Sequence, residues 1–377
     1  MKLIHLSDLH LGKRVNGFSL LEDQKFILRQ ILDIIERERP AAVMIAGDVY
    51  DKAIAPTDAL VEWDDFLNAL IGLHCTVLVI SGNHDSPERL SEHRRMMEQS
   101  GVYFAPRYTG KVRPVTLTDA YGPVNFYLLP FVKPAHVREA FPEAKIETWT
   151  DAVRTAVDAM AVDPSERNVL IAHQFVTGAE RCESEELSVG GADNVDAAVF
   201  DVFDYTALGH IHGPQSVGRE CVRYCGTPLK YSFSEAGHRK SVTVVELGEK
   251  GCPVIRTVPL TPLRDMVELR GTYDELMLET LAARYRDQYV HITLTDELDI
   301  PDAMSRLRIM YPYLMRMDYD RPGGNPDAEL SAPDEAQQRS PLALLEAFYL
   351  ERKGTSMTEE QRRLAQECME KIWEEAE

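Results

Sequence analysis

The stretch Val77-Leu78-Val79-Ile80-Ser81-Gly82-Asn83-His84-Asp85 decides how the rest of the chain is read. Its first four residues are an apolar run of the length and Val/Ile/Leu content of a buried strand. The run then breaks into Gly-Asn-His-Asp, a cluster of side chains that bind hard metal ions. The same change recurs four times. Residues 3–6 lead into Asp8-Leu9-His10, 43–46 into Gly47-Asp48-Val49-Tyr50-Asp51, 169–172 into His173, and 205–208 into Gly209-His210-Ile211-His212. Open α/β sheets collect their ligands outside the carboxyl ends of the strands. Five strand ends with one chemistry therefore predict a single convergent site.

Asp8, His10, Asp48, Asn83, His173, His210 and His212 make seven oxygen or imidazole donors. A tetrahedral zinc takes about four ligands, whereas a pair of ions about 3.5–4 Å apart, sharing one carboxylate, uses all seven. Carboxylate, amide and imidazole without thiolate suit manganese or iron ahead of magnesium or zinc. In Asp8-X-His10 and His210-X-His212, residues two apart can face the same way on a turn or strand end. Gly47, Gly82 and Gly209 allow sharp turns where a side chain would block close approach. A lone His or Asp at a strand end is more often a turn or cap residue, so the signal lies in the set. His5, inside the first apolar run, is expected to be a satisfied core histidine.

The series Asp-X-His, Gly-Asp-X-X-Asp, Gly-Asn-His-Asp, His and Gly-His-X-His, spanning residues 8–212, resembles the calcineurin-like metallophosphoesterases. That resemblance implies an α/β fold, a four-layer αββα sandwich with two metals at the strand ends. It implies Asp8, His10, Asp48 and His212 around the first ion, and Asp48, Asn83, His173 and His210 around the second, with Asp48 bridging. His84 is the spare histidine beside Asn83 and the candidate general acid for the leaving group. In the superfamily's phosphatase branch the matching carboxylate pairs with it, which makes Asp51 its expected orienter.

Two further segments narrow the branch. The opening Met-Lys-Leu-Ile-His-Leu-Ser-Asp-Leu-His-Leu-Gly and the run Tyr224-Cys-Gly-Thr-Pro-Leu-Lys-Tyr-Ser-Phe-Ser-Glu235, followed by Lys240-Ser241-Val242, are similar to the SbcD family of nuclease subunits. The similarity implies two divalent ions, most often Mn(2+), and DNA as substrate, cut as a 3′-to-5′ double-strand exonuclease and a single-strand and hairpin endonuclease. It also implies a homodimer, through apolar helices such as 59–73, joined to an SbcC-type coiled-coil ABC ATPase in a heterotetramer. Archaeal and eukaryotic relatives usually carry histidine at the Asp51 position, and this chain departs from them there. Two rivals are weighed: another phosphodiesterase or phosphatase of this fold acting on small nucleotides or phosphoproteins, and a non-catalytic scaffold, which the intact ligand set disfavours.

At 377 residues the chain exceeds one ordinary core, and 44% hydrophobic content supports a sizeable one. No run approaches the ~20 apolar residues of a membrane span, and no leader is recognisable. Six scattered cysteines fit reduced thiols. A cytoplasmic, nucleoid-associated protein is expected. The net charge of −20 is unusual for a DNA binder, so grip is expected to come from the metals, from local cations (Lys13, Arg14, Arg89, Arg94, Arg95) and from a partner.

The expected organisation is a nuclease domain over 1–260, a small α+β capping domain over 261–320, a flexible linker over 321–340, and C-terminal helices over 341–377 that dock the ATPase. Pro259 and Pro262 bracket the first junction. Within the capping domain, 289–294 and 313–317 read as strands and 302–310 as a helix. At the C-terminus, Leu342, Leu345, Phe348 and Tyr349 form one apolar stripe and Leu364, Cys368, Met369, Ile372 and Trp373 another, with Thr358 and Gln361 as a capping box.

Overall fold

The computed structural model describes residues 1–91, 94–185, 193–251 and 253–320, with 346, 349, 357–358 and 361–365. Burial on both faces explains why the apolar runs are unbroken. In the strand Ala42–Ala46, Ala42, Met44 and Ala46 meet Phe126, Leu128, Val169 and Ile171 of a second sheet. Val43 and Ile45 face the other way, onto Ile27, Ile31, Phe66 and Leu70 of the helices Leu21–Glu38 and Thr57–Gly72. The second sheet repeats the arrangement: Leu170, Ala172 and Leu208 pack on Val153, Ala156 and Val157 of the helix Trp149–Asp158. The layers therefore run αββα.

Each sheet has six strands around a parallel centre; both edges of the second are antiparallel, whereas the first is antiparallel at one edge only and ends at the other in a parallel strand, Val102–Ala105. The first runs Val254–Pro259, Ser241–Glu246, Lys2–Leu6, Ala42–Ala46, Thr76–Ile80, Val102–Ala105. The second runs Gln215–Val217, Arg219–Tyr224, Tyr205–Gly209, Arg167–His173, Gly122–Leu129, Val115–Asp119. All five motif-bearing strands lie in the parallel centres, so their carboxyl ends emerge on one side of each sheet. Ala46 pairs with Ile80, and His173 with Gly209, which sets the ends level.

Residues 266–319 form a three-stranded parallel sheet, Met266–Gly271, Tyr289–Leu294 and Leu314–Tyr319, with the helix Ala303–Met310. The strand Met266–Gly271 and the helices Tyr273–Leu276 and Glu279–Tyr285 are additions to the sequence reading. The expected linker is also shorter than the two prolines suggested. Pro259 ends a strand paired with Ser241, and Leu260 is buried and bonds to the Lys240 carbonyl at 2.9 Å. Beyond it, Arg264 donates to Asp23 (3.0 Å) and Glu22 (2.8 Å) and lies over the Tyr313 ring. The Tyr289 hydroxyl donates to the same Asp23 at 2.7 Å. A buried carboxylate thus fastens this sheet to the first turn of the helix Leu21–Glu38.

Residues 1–319 form one compact unit and 320–377 a second. The expected linker 321–340 and most of both C-terminal stripes lie outside the described residues. Within the second unit, the Thr358–Gln361 capping box is present in both directions, at 3.0 and 3.3 Å.

Candidate metal centre

All seven expected donors converge where the two sheets meet, and two subsets are visible. In one, the Nε2 atoms of His10 and His212 lie 3.2 Å apart, with Asp8 close enough for the three to share a cation. In the other, the Asn83 amide oxygen is 3.0 Å from both His173 Nε2 and His210 Nδ1. Asp48 stands between them, its Oδ2 3.3 Å from His173 Nε2 and 3.8 Å from His10 Nε2. Asp8 also accepts from the His210 main-chain N–H at 3.0 Å.

The backbone is bent to achieve this. Asp8, His10, Asp48 and His210 all have positive φ, at 52°, 45°, 51° and 101°, a region that residues other than glycine seldom occupy. Packing is equally tight. A Cβ on Gly82 would lie 2.0 Å from Asp48 Oδ1, and one on Gly209 1.9 Å from the Ala46 carbonyl oxygen. Only Gly47 of the three turn glycines has positive φ, so Gly82 and Gly209 are required for space and not for conformation.

The set suits a pair of divalent ions. It offers hard oxygens and imidazoles in a buried pocket. The nearby Cys225 thiol bonds to Ser7 Oγ instead, and burial pushes it up to about 12. Burial keeps His10 well below its usual pKa and, with His173 nearby, holds His210 down at about 3. Both rings are therefore neutral at physiological pH, with a lone pair to offer. Burial opposes charge on His173, but the Asp48 carboxylate outweighs it and holds the ring up at about 9.

Behind the donors lies support that the sequence reading missed. The His173 Nδ1–H donates to the Ala46 carbonyl at 2.8 Å, which points Nε2 inward. Phe131 stacks on the His210 ring, centroids 6.3 Å apart. Gln24 donates to the His10 carbonyl at 2.7 Å and accepts from Gly12 N–H at 3.0 Å, gripping the first motif loop from both sides. Asp85 accepts from the main-chain N–H groups of Val49, Tyr50 and Gly82, tying the second loop to the third.

His212 has the most elaborate support. Its Nδ1 is 2.6 Å from Ser184 Oγ, which donates to Glu235 at 2.6 Å, and Glu235 pairs with Lys240 at 2.5 Å. Lys240 also donates to the His212 carbonyl and to Thr227 Oγ1. Burial alone would raise Glu235, but His212 and Lys240 outweigh it and hold the carboxylate well below its usual range. The branch-specific segment 224–235 and Lys240 thus build the back wall of the centre. His5 sits apart from it, fully buried and bonded to the Tyr205 hydroxyl and the Leu208 carbonyl, as expected of a core histidine.

One expectation needs correcting. Asp51 does touch His84, but through its main-chain carbonyl, which accepts from His84 Nδ1 at 2.9 Å. The Asp51 carboxylate is taken by Lys13 at 2.7 Å and faces His10 Nδ1 at 3.7 Å. A lysine just beyond the first motif captured the charge that the sequence assigned to the histidine. Lys13 is accordingly an internal counter-charge and not a free surface cation.

Comparison with known proteins agrees with this architecture. Residues 1–214 match the calcineurin-like phosphoesterase family. Residues 262–353 match the SbcD_C family, described as the type 5 capsule protein repressor C-terminal domain. The SbcD subunit of the nuclease SbcCD from Staphylococcus epidermidis is 34% identical over 323 residues, covering 84% of this chain and 85% of its own. The chain belongs to the SbcD nuclease family. It is a hydrolase of phosphodiester bonds, working with divalent metal ions. Among solved structures, a dimetal phosphatase from Danio rerio shares 12% identity over 70% of this chain and 98% of its own, with a TM-score of 0.43. No helix among the described residues is long and apolar enough to cross a membrane.

Proposed function

We propose that the protein is the DNA-cutting subunit of an ATPase–nuclease complex, a 3′-to-5′ exonuclease on duplex ends and an endonuclease on single strands and hairpins. The observation that carries the reading is the division of seven donors, all but Asn83 buried, into two subsets about a central Asp48. We assign Asp8, His10, Asp48 and His212 to one ion and Asp48, Asn83, His173 and His210 to the other, with manganese as the metal that donor set favours. When bound, such a pair supplies a nucleophile near neutral pH and neutralises charge on the phosphoryl oxygens.

The chain's own residues do the rest. His84 is the leaving-group acid: it lies at the rim, half-buried, with Nε2 4.0 Å from Asp48 Oδ2. Its Nδ1–H bond to the Asp51 carbonyl fixes the ring, so that Nε2 is the nitrogen presented to substrate. Asp51 is a positioning residue, through its carbonyl for His84 and its carboxylate for Lys13. The sheet over 266–319 serves as the cap. Residues 341–377 are assigned to docking the coiled coil of an SbcC-type ATPase, as the S. epidermidis relative's name places that protein in an SbcCD assembly. A homodimer within a cytoplasmic heterotetramer completes the proposal.

The decisive assay compares manganese-dependent degradation of an end-labelled duplex with hydrolysis of a chromogenic phosphodiester, with and without the ATPase. Degradation of the duplex supports the reading; turnover of the small ester alone moves the function to a small-nucleotide phosphodiesterase. His84→Ala is expected to retain both metals and to lose about 10²–10⁴-fold in rate. Metal retention at the parental rate removes His84 from its role.

A further inference from the structure

Although the chain carries a net charge of −20, cations gather along one side of the molecule. A cleft of about 280 Å³ opens beside Asn83, with Arg107, Lys133 and His136 on its walls. A second cleft of about 550 Å³ shares Pro106, Arg107 and Tyr108 with the first. It runs between the strands Val102–Ala105 and Val115–Asp119, the outermost strands on that side of the two sheets. Arg94, Lys111 and Arg113 line it.

Acids are few along this path. Glu98 is engaged by Arg94 at 3.4 Å, and Glu139 stands 3.9 Å from Arg107. Asp85 and Glu88 line the first cleft, and Asp85 is turned onto the main-chain N–H groups of Val49, Tyr50 and Gly82. Lys111, Arg113 and Lys133 have no ion-pair partner among the described residues. The charge of Lys133 and Arg107 is felt locally: after burial, these two cations depress the pKa of His136. Where the clefts join, the hydroxyl of buried Tyr108 has no hydrogen-bond partner among the described residues.

We propose that the two clefts form a track along which a single nucleic-acid strand leaves the metal centre, its phosphates held by Lys133, Arg107, Lys111 and Arg113. The inference rests on DNA being the substrate. It starts from Asn83, a metal-centre residue, so a strand cut at the centre has a continuous path outward. Clefts of about 300–1,000 Å³ enclose a molecule of drug size, which is the scale of one or two nucleotides and not of a duplex. Free lysine and arginine side chains bind phosphates by releasing counter-ions, and Tyr103 on the wall of the second cleft offers a face for base stacking. The competing account is that these cations guard exposed sheet edges against pairing with other chains.

The test uses the full chain with manganese. The double variant Lys111→Glu/Arg113→Glu changes two exposed residues, and Arg37→Glu, exposed on the last turn of the helix Leu21–Glu38, is the control. Each is assayed on a labelled single-stranded oligonucleotide and on bis(p-nitrophenyl) phosphate over a range of salt. In the double variant, the ratio of oligonucleotide to small-ester kcat/KM is expected to fall about tenfold at low salt. The log–log salt slope should become shallower by about 0.7 for each phosphate that the variant no longer neutralises. A ratio and slope equal to those of the Arg37→Glu control overturn the track, and self-association of the double variant on top of that supports edge protection in its place. A parent enzyme that hydrolyses the small ester but no oligonucleotide removes the DNA reading itself, and the track with it.

Discussion

The two halves of the candidate metal centre are held in different ways. Around His173, Asn83 and His210 the bracing is main chain and space: the Ala46 carbonyl orients His173, and glycines 47, 82 and 209 let the loops close to within touching range. Around His10 and His212 the bracing is a set of side chains, half-buried Ser184 with buried Glu235, Lys240, Thr227 and Gln24. The first kind is written in short motifs beside the ligands. The second depends on residues scattered from position 24 to position 240, and its strength is set by charge pairing in a dry interior.

If the contrast is sound, substitutions in the two halves should fail differently. The largest loss is expected from Lys240→Met, which strips buried Glu235 of its lysine counter-charge; about 3–5 kcal/mol of stability is at stake, read by chemical denaturation. Lys240→Met with Glu235→Leu should regain part of it, since an apolar pair carries no stranded charge. Gly209→Ala comes next, at about 3 kcal/mol, because its Cβ meets the Ala46 carbonyl, whereas Gly237→Ala meets nothing within 4 Å and serves as its reference. A Gly209→Ala protein as stable as Gly237→Ala would break the comparison on the main-chain side.

Ser184→Ala acts more gently. It removes the hydroxyl between His212 and Glu235, and titration calorimetry should show about a tenfold weaker affinity for one of the two metal ions while the other is unmoved. Equal weakening at both sites would mean that the halves are not separately braced.

The smallest effect is expected at the opposite end of the strand that carries His173. There Arg167 donates to Asp119 at 2.6 Å and, with the burial that opposes it overcome, holds that carboxyl well below the usual range. A depressed carboxyl contributes stability above its unfolded pKa of about 3.9 that is lost as pH falls toward the folded value. Stability is therefore expected to decline by about 1 kcal/mol from this pair between pH 5 and 3, and Arg167→Gln should flatten that slope without altering metal stoichiometry.

This division also explains what could be read in advance. The convergence of the seven side chains is legible because each lies within four residues of the end of an apolar run, so strand and proposed ligand are close in sequence. His5 was separable because it lies within a run and not after one. Gln24 was invisible: in the sequence it is one polar residue of an amphipathic helix, and only the fold brings its amide to the His10 carbonyl. Glu235 and Lys240 stood out as family signature without any hint of what they touch. Asp51 was assigned to the correct neighbour by the wrong atom, since nothing local reveals that Lys13 reaches its carboxylate first. The strand Met266–Gly271 has one buried residue and then alternates half-buried with exposed positions, a pattern too faint in sequence to mark a strand.

The left-handed backbone at Asp8, His10, Asp48 and His210 has an evolutionary consequence. Each such position disfavours the folded chain by about 1–2 kcal/mol relative to a relaxed one, and glycine would relieve it at every site while deleting a donor. A lineage drifting toward thermal robustness alone would shed these residues first. A descendant that keeps the sandwich but shows glycine at those four positions would have lost four of the side chains proposed to hold the metal ions.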